Sequence, residues 1–278
     1  MPRFAAALSL FFSIVLIGCG STPTPISTPA VRTVSGNWIM VQTPIAPAPS
    51  PSLPSGPVSG FVGALSSTAG VVTGTLNVLA INATDPAQPC VLPFSNLAVT
   101  GTLDTAQRRS LSGPLAGGTV SLNATLGADL HAPSDGTYTI TGGSCAMAAT
   151  PLSLEQIAPA TGTYAGTLQL LQQGTGHVDP QHTAAVTVTL VQSSDADTDG
   201  HFPVTGNLVA AGTCPGKVGN LSGRVSGPSL LLQSPSAIFT NPGEVAAIIH
   251  TDASSLFATA FFASPCPGIA FQGTLTRQ

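Results

Sequence analysis

The sequence predicts an all-β protein with two tandem antiparallel β-barrel or β-sandwich domains of about 120 residues each. Three observations support this fold class: apolar and polar residues alternate strictly, a glycine recurs between apolar residues, and the two halves of the chain match. Parallel strands would need helical crossovers, and no capped stretch with a sustained 3.6-residue apolar period is available for them. One stretch, Leu152 to Ile157, could form a short helical turn between the domains.

An export signal is predicted at residues 1–18. Arg3 gives a positive start, and the apolar run at 4–17 is too short to span a bilayer but has the length of a signal-peptide core. The sequence Leu16-Ile17-Gly18-Cys19 resembles the lipobox of bacterial lipoproteins, in which the cysteine is acylated and becomes the first residue of the mature protein. The resemblance implies lipidation of Cys19 by acyl chains such as palmitate, and attachment to a membrane.

In a two-membrane bacterium the same resemblance implies export to the outer membrane, on its periplasmic or surface face. Residues 19–33 are rich in Ser, Thr and Pro and have almost no large side chains, so they predict a disordered tether. The whole chain has 7 basic and 11 acidic residues, and no basic patch for nucleic acid is visible. The expected partners are therefore a membrane, through the lipid, and an envelope protein or a small apolar ligand.

Period-2 alternation predicts strands throughout residues 34–157 and 158–278, which we take as the two domains. In the second domain Val186, Val188 and Leu190 alternate with Thr187 and Thr189. One face of such a strand is buried and the other is solvated, as in an antiparallel sheet with a wet side.

A glycine recurs at the centre of the pattern apolar-x-Gly-x-apolar. In a strand this glycine shares the buried face with the two apolar residues, which is expected where a sheet bends sharply or closes on itself. The alternative explanation is a low-complexity compositional bias toward Gly and Thr. The pattern occurs eight times, as FVGAL (61–65), VTGTL (72–76), VTGTL (99–103), LSGPL (111–115), YAGTL (164–168), VTGNL (204–208), LSGRV (221–225) and FQGTL (271–275).

The two halves align through several residues, which predicts a duplication. Gly36-Asn37-Trp38 matches Gly162-Thr163-Tyr164 at an offset of 126 residues. The opening Ser35-Gly36-Asn37-Trp38 resembles the SGNW-like first strand of duplicated, cysteine-paired β-repeat surface lipoproteins of environmental bacteria. That family has no assigned activity, so the resemblance implies none here.

Four cysteines remain when Cys19 is set aside, an even number that favours disulfides in an exported protein. The spacings between Cys90 and Cys145 and between Cys214 and Cys266, 55 and 52 residues, repeat well enough to predict these two pairs. Each bridge is expected to contribute roughly 4 kcal/mol to stability.

Motifs for catalysis are missing: there is no Gly-x-Ser-x-Gly elbow, HExxH helix, phosphate loop or dinucleotide fingerprint. We therefore expect no enzyme and no cofactor. The sequence around His177, Asp179 and His182 is the nearest approach to a ligand cluster, although its Pro and Gly residues indicate an exposed loop. The remaining histidines, His131, His201 and His250, have no arranged partner in sequence.

A weak calcium site is predicted at Asp195, Asp197 and Asp199, followed by Gly200. Carboxylates at alternate positions before a glycine reproduce the first half of a calcium-binding loop. The second half is missing, because Gly206 stands where an EF-hand has its bidentate glutamate. A hairpin turn made of Asp and Gly is the alternative.

The expected function is that of a membrane-anchored cell-envelope lipoprotein with a non-catalytic structural or interaction role. A carrier that binds a small apolar ligand inside a barrel is the first alternative, and an exported hydrolase is the second. An enclosed apolar cavity would favour the carrier. The aromatic residues Phe257, Phe261 and Phe262 could line such a cavity, although core packing is the simpler expectation for two of them.

Overall fold

The structure is a computed structural model that describes residues 32–43, 58–80, 96–172, 177–212, 216–234, 244–261 and 270–278. Sixteen antiparallel strands form two closed barrels, each with eight strands. Within the described ranges no helix is long and apolar enough to cross a membrane. The predicted all-β class with two domains is confirmed, and the domains are barrels rather than sandwiches.

Barrel 1 contains the first eight strands, each paired with the next one along the chain. The barrel closes where the last strand returns to the first, with Met40 opposite Leu154. Its strands are β1 (Gly36–Gln42), β2 (Val58–Thr68), β3 (Val71–Ala80), β4 (Asn96–Leu103), β5 (Arg108–Leu115), β6 (Gly118–Thr125), β7 (Ser134–Thr141) and β8 (Met147–Ile157).

Barrel 2 repeats this up-and-down order and closes between its last strand and its first, with Phe271 opposite Leu170. Its strands are β9 (Gly162–Leu171), β10 (Val178–Gln192), β11 (Phe202–Ala211), β12 (Gly216–Ser226), β13 (Ser229–Gln233), β14 (Glu244–Ile249), β15 (Ser255–Phe261) and β16 (Ala270–Arg277).

The alternation decides which side chains enter each barrel. Val186, Val188 and Leu190 of β10 are buried, while Thr187 and Thr189 between them are exposed. The prediction of a helical turn at Leu152–Ile157 is wrong, because this segment is the end of β8. It pairs with β7 on one side and β1 on the other, and these ladders override the local helix propensity of Leu, Glu and Gln.

The recurrent glycines lie where neighbouring strands approach most closely. A Cβ atom on Gly101 of β4 would lie 1.8 Å from the carbonyl oxygen of Ser110 on β5. Opposite Gly101 stands Leu111, and the same Gly and Leu pairing joins Gly74 of β3 to Leu65 of β2. Glycine thus removes a side chain at the crowded positions of the inner wall, and a leucine on the next strand fills the space.

Large side chains fill the interior of barrel 1. Trp38, Phe61 and Tyr138 are fully buried, and the rings of Phe61 and Tyr138 meet edge to face with centroids 5.4 Å apart. The Tyr138 hydroxyl donates a hydrogen bond to the Val58 carbonyl oxygen at 2.6 Å. Burial raises the pKa of this phenol to about 12. In barrel 2, Tyr164 is the fully buried counterpart of Trp38 on the first strand.

A charged residue also lies inside barrel 1. Arg109 of β5 is 2% exposed, and its guanidinium carbon is 4.5 Å from the centroid of the Trp38 ring. Burial lowers the pKa of this group to about 10. A desolvated cation–π contact returns about 2 kcal/mol, whereas burying an ion costs several kcal/mol.

The segment before β1 covers one end of barrel 1. Val34 is fully buried, and its carbonyl oxygen accepts a hydrogen bond from the Trp38 indole at 2.8 Å. The Arg32 guanidinium donates to the carbonyl oxygens of Gly127 and Ala128 in the loop after β6. Residues 32 and 33 were expected to belong to the tether, but Arg32 is fastened to the barrel end.

Cys145 is buried between β7 and β8, with 1% of its surface exposed. The other cysteines with predicted roles, Cys19, Cys90, Cys214 and Cys266, lie outside the described residues. The pairs Cys90–Cys145 and Cys214–Cys266 therefore stay predictions, as does the lipid on Cys19. The duplication of the sequence also stays a prediction, although both barrels have the same strand number and order.

Candidate functional site

One end of barrel 2 packs against the outer wall of barrel 1. Strand β2 shows the consequence in its burial pattern, because residues 60–65 are buried on both faces. Phe61 and Leu65 pack in the core of barrel 1, whereas Ala64 joins the hydrophobic cluster of barrel 2. Ile157 at the end of β8 belongs to the same cluster of barrel 2, and Ile39 of β1 packs against it.

A reciprocal pair of hydrogen bonds fixes the junction. The Asn37 amide nitrogen donates to the Gly227 carbonyl oxygen at 2.6 Å, and the Gly227 backbone N–H donates to the Asn37 amide oxygen at 2.8 Å. Asn37 is 2% exposed. Gly227 has a φ of +53° in the turn between β12 and β13, and a Cβ there would lie 2.7 Å from Val62. Both the turn and the close approach therefore require glycine.

The loop with the three predicted calcium ligands forms a second contact between the barrels. The Asp199 carboxylate accepts a hydrogen bond from the Asn96 amide at 2.6 Å, and its backbone carbonyl accepts one from the Asn77 amide at 3.0 Å. Gly200, with a φ of +77°, lies so close to the carbonyl oxygen of Thr75 that a Cβ would be 2.4 Å from it. This loop, residues 195–200, docks onto β3 and β4.

Asp197 uses its carboxylate within the loop itself. One of its oxygens accepts hydrogen bonds from the backbone N–H groups of Asp199 and His201, at 3.0 and 2.9 Å. Asp195 instead accepts a hydrogen bond from the hydroxyl of Ser194 at 3.4 Å. In the described part of the chain, no three His, Cys, Asp or Glu side chains are grouped so that they could hold a metal ion. The geometry gives this loop a turn-forming and docking role, and calcium binding stays a prediction from the sequence.

A cleft of about 690 Å³ lies beside these contacts, between the two barrels. Its walls come from the start of β1, the facing segments of β2 and β3, the end of β8, and the chain between β10 and β11. Clefts at domain junctions are common positions for ligand sites. Its polar lining residues include Ser35, Ser66, Thr73, Thr75, His131, Gln156, Gln192, Ser193, Ser194, Asp195 and Asp197.

His131 lies in the wall of the cleft. Its Nδ1 lies 2.6 Å from the Gln156 carbonyl oxygen, and its backbone N–H donates to the Asp129 carboxylate at 2.9 Å. A carbonyl oxygen can only accept, so Nδ1 is the donor in this hydrogen bond. This imidazole is oriented by a backbone group, and its described contacts do not build the Ser, His and Asp geometry of a hydrolase.

Two of the other candidate histidines, His182 and His250, are hydrogen-bonded to nearby aspartates, whereas Nδ1 of His201 is buried without a hydrogen-bond partner. The His182 ring nitrogen lies 2.8 Å from the Asp179 carboxylate, and that hydrogen bond lowers the pKa of Asp179. His250 lies 2.7 Å from Asp252, whose pKa is lowered first by its hydrogen bonds to Ser254 and then by His250. The loop expected around His177, Asp179 and His182 is wrong for the last two residues, because Asp179 and His182 lie at the start of β10, where its pairing with β9 shifts register. His250 and Asp252 lie in the turn between β14 and β15.

One aromatic residue was assigned to the wrong face. Phe257 was expected to pack in a core or line a cavity, but it is 49% exposed on the outside of β15, opposite the exposed Ile248. The inner positions of this strand are taken by Leu256, Ala258 and Ala260. Period 2 therefore turns Phe257 outward, while Phe262 and the side chain of Phe261 lie outside the described residues.

Sequence reasoning missed the residues that join the barrels. Asn37 and Gly227 are 190 positions apart, and no local pattern links them. A weak signal exists, because Asn37 lies at an outward position of β1 where the matching residue of the second half is Thr163. A residue of one half that departs from its counterpart can mark a contact that only that half makes.

The comparisons with known proteins add no family or fold relative. The chain matches no family model, no curated protein and no solved structure. Its function must therefore be argued from its own residues.

Proposed function

We propose that the chain is a membrane-anchored lipoprotein of the cell envelope with a non-catalytic structural or interaction role. The non-catalytic role is supported by the hydrogen bonds that polar side chains make at the junction between the barrels. The Asn37 amide could bind a ligand, and the Asp199 carboxylate could bind a ligand or act as a base. Both side chains are instead hydrogen-bonded across the junction. The cleft beside them is thus a polar surface between two barrels that are joined by hydrogen bonds. Its arrangement suits binding better than catalysis.

The proposed anchor is supported by the sequence Leu16-Ile17-Gly18-Cys19. Each buried acyl CH₂ contributes about 0.8 kcal/mol, so two or three chains on Cys19 would hold the protein on a membrane. Trp38 and Tyr138 fill the middle of barrel 1, which gives no support to a carrier with a large apolar cavity there. The carbonyl partner of His131 gives none to the hydrolase.

We expect Cys19→Ala to abolish labelling by a clickable fatty acid and to release the protein from the membrane fraction. Alanine has no sulfur atom to form the thioether that carries the acyl chains, so residue 19 can no longer be lipidated. The wild-type chain and Ser21→Ala are the controls, since Ser21 lies outside the four residues that resemble the lipobox. Persistent labelling of Cys19→Ala would contradict the anchor.

The interaction role is tested by placing a photo-crosslinking amino acid at Ser194, an exposed residue in the wall of the cleft. Irradiation of intact cells is expected to yield a discrete crosslinked species at this position. The matched control is Ser110, exposed on β5 on the opposite side of barrel 1. Equal crosslinking at both positions, or none at Ser194, would contradict binding through the cleft.

A further inference from the structure

Arg109 is a buried charged residue that does not line the cleft between the barrels. It lies on β5 at the same parity as Leu111 and Leu115, so the strand turns it into the barrel with the apolar side chains. Its guanidinium stacks on Trp38, whose indole is bonded to Val34 in the segment that covers this barrel end. Arg109 therefore lies beneath the cover and not in the middle of a polar surface.

The guanidinium is buried without a hydrogen-bond partner. Both terminal nitrogens, Nη1 and Nη2, are shielded from solvent and unpaired, and no carboxylate faces them among the described residues. The side-chain oxygen of Gln107, in the turn that leads into β5, is also buried and unpaired. Buried polar groups are normally satisfied, so an unsatisfied fork of donors calls for a partner.

The shape of the group selects the chemistry of that partner. A guanidinium presents two parallel N–H donors that match the two oxygens of a carboxylate or phosphate group, and such pairs are strong when water is excluded. The guanidinium carbon lies over the Trp38 ring, 4.5 Å from its centroid, and the two terminal nitrogens keep their donors for an anion.

We propose that the covered end of barrel 1 is a binding site for an oxyanion, a carboxylate or phosphate group, held by the Arg109 guanidinium above Trp38. Entry takes place by displacement of the cover, the segment 32–35 together with the loop 126–133. The cover has no strand ladder: it is held by side-chain contacts such as those of Arg32 and of Ser67 with Val34, and by two isolated backbone hydrogen bonds of Leu126 and Leu130. Segments fastened in this way open more readily than the strands beneath them.

The test is the thermal midpoint of the full chain in sodium phosphate, acetate or hexanoate, each compared with chloride at equal ionic strength. A specific site gives a saturable rise, about 3–5 °C for each tenfold increase in anion concentration above the dissociation constant. The three anions distinguish two kinds of ligand. A larger rise of the thermal midpoint with phosphate points to a ligand with a phosphate group. Tighter binding of hexanoate than of acetate points to a carboxylate on an apolar chain.

Two variants separate the site from general salt effects. Arg109→Met removes the charge and keeps the volume, so the specific rise is expected to disappear, while the midpoint in chloride stays the same or increases. Arg108→Met removes the same charge from a neighbouring side chain that is 72% exposed, and is expected to keep the rise. If Arg109→Met does not fold, Arg109→Lys keeps the charge without the fork, and at least a tenfold loss of affinity is expected. Equal rises in the wild-type chain and in the Arg109 variant, or no rise in the wild-type chain, would overturn the proposal.

Discussion

Gly101→Ala is expected to destabilise barrel 1 by about 3 kcal/mol, a large effect for the addition of one methyl group. The new Cβ would stand 1.8 Å from the carbonyl oxygen of Ser110, and a backbone atom in a strand ladder cannot turn aside as a flexible side chain can. Strands β4 and β5 would have to separate at this point, which breaks their pairing and opens the barrel. Chemical denaturation followed by Trp38 fluorescence measures the loss.

Gly127→Ala is the matched control for this prediction. Gly127 lies in the loop after β6, and the nearest atom to an added Cβ is the Ser134 hydroxyl oxygen at 3.6 Å, an ordinary contact. We expect its stability to be unchanged or slightly raised, because alanine restricts the unfolded chain. Equal stability of the two variants would mean that the motif glycines are not needed for the approach of the strands.

Asn37→Ala is expected to uncouple the barrels at a cost of about 2–4 kcal/mol. The substitution removes two hydrogen bonds and leaves the Gly227 N–H and carbonyl groups buried without partners. In differential scanning calorimetry we expect the wild-type chain to unfold in one transition, and the variant to show a separate, earlier transition for one of its barrels.

The control for the junction is Asn123→Ala. Asn123 is exposed on the outer face of β6, away from the junction, so the same change of side chain removes no contact between the barrels. We expect its calorimetric trace to follow that of the wild-type chain. A single unshifted transition for Asn37→Ala would show that the apolar contacts of Ile39 and Ala64 hold the barrels together without the amide.

Local pattern predicted most of the strands but not the closed shape. Alternation assigned Val186, Val188 and Leu190 to the interior, and that assignment is confirmed because period 2 depends only on the strand itself. Barrel and sandwich share this alternation, so the sequence left both open. The recurrent glycines indicated a sheet that closes on itself, since their spacing reflects contacts between adjacent strands.

The candidate site depended on information that no local pattern contains. The Asp195–Gly200 sequence reads equally well as half a calcium loop or as a turn, and its contacts with Asn77 and Asn96, more than a hundred residues away, decide how the loop is used. Arg109 was more accessible to inference, because its parity with Leu111 places it on the inner face. The sequence does not show whether the interior of the barrel holds a hydrogen-bond partner for the Arg109 guanidinium.

Closure of both barrels has a consequence for solubility. Every strand has two hydrogen-bonded neighbours, so neither sheet presents an open edge onto which a second chain could add a strand. Many β proteins protect such edges with lysines and other charges, but only 6% of the residues in this chain are charged. Barrel 1 closes at the seam where β1 meets β8, and barrel 2 lies against both strands through Asn37 and Ile157. The junction thus also covers the seam that closes barrel 1.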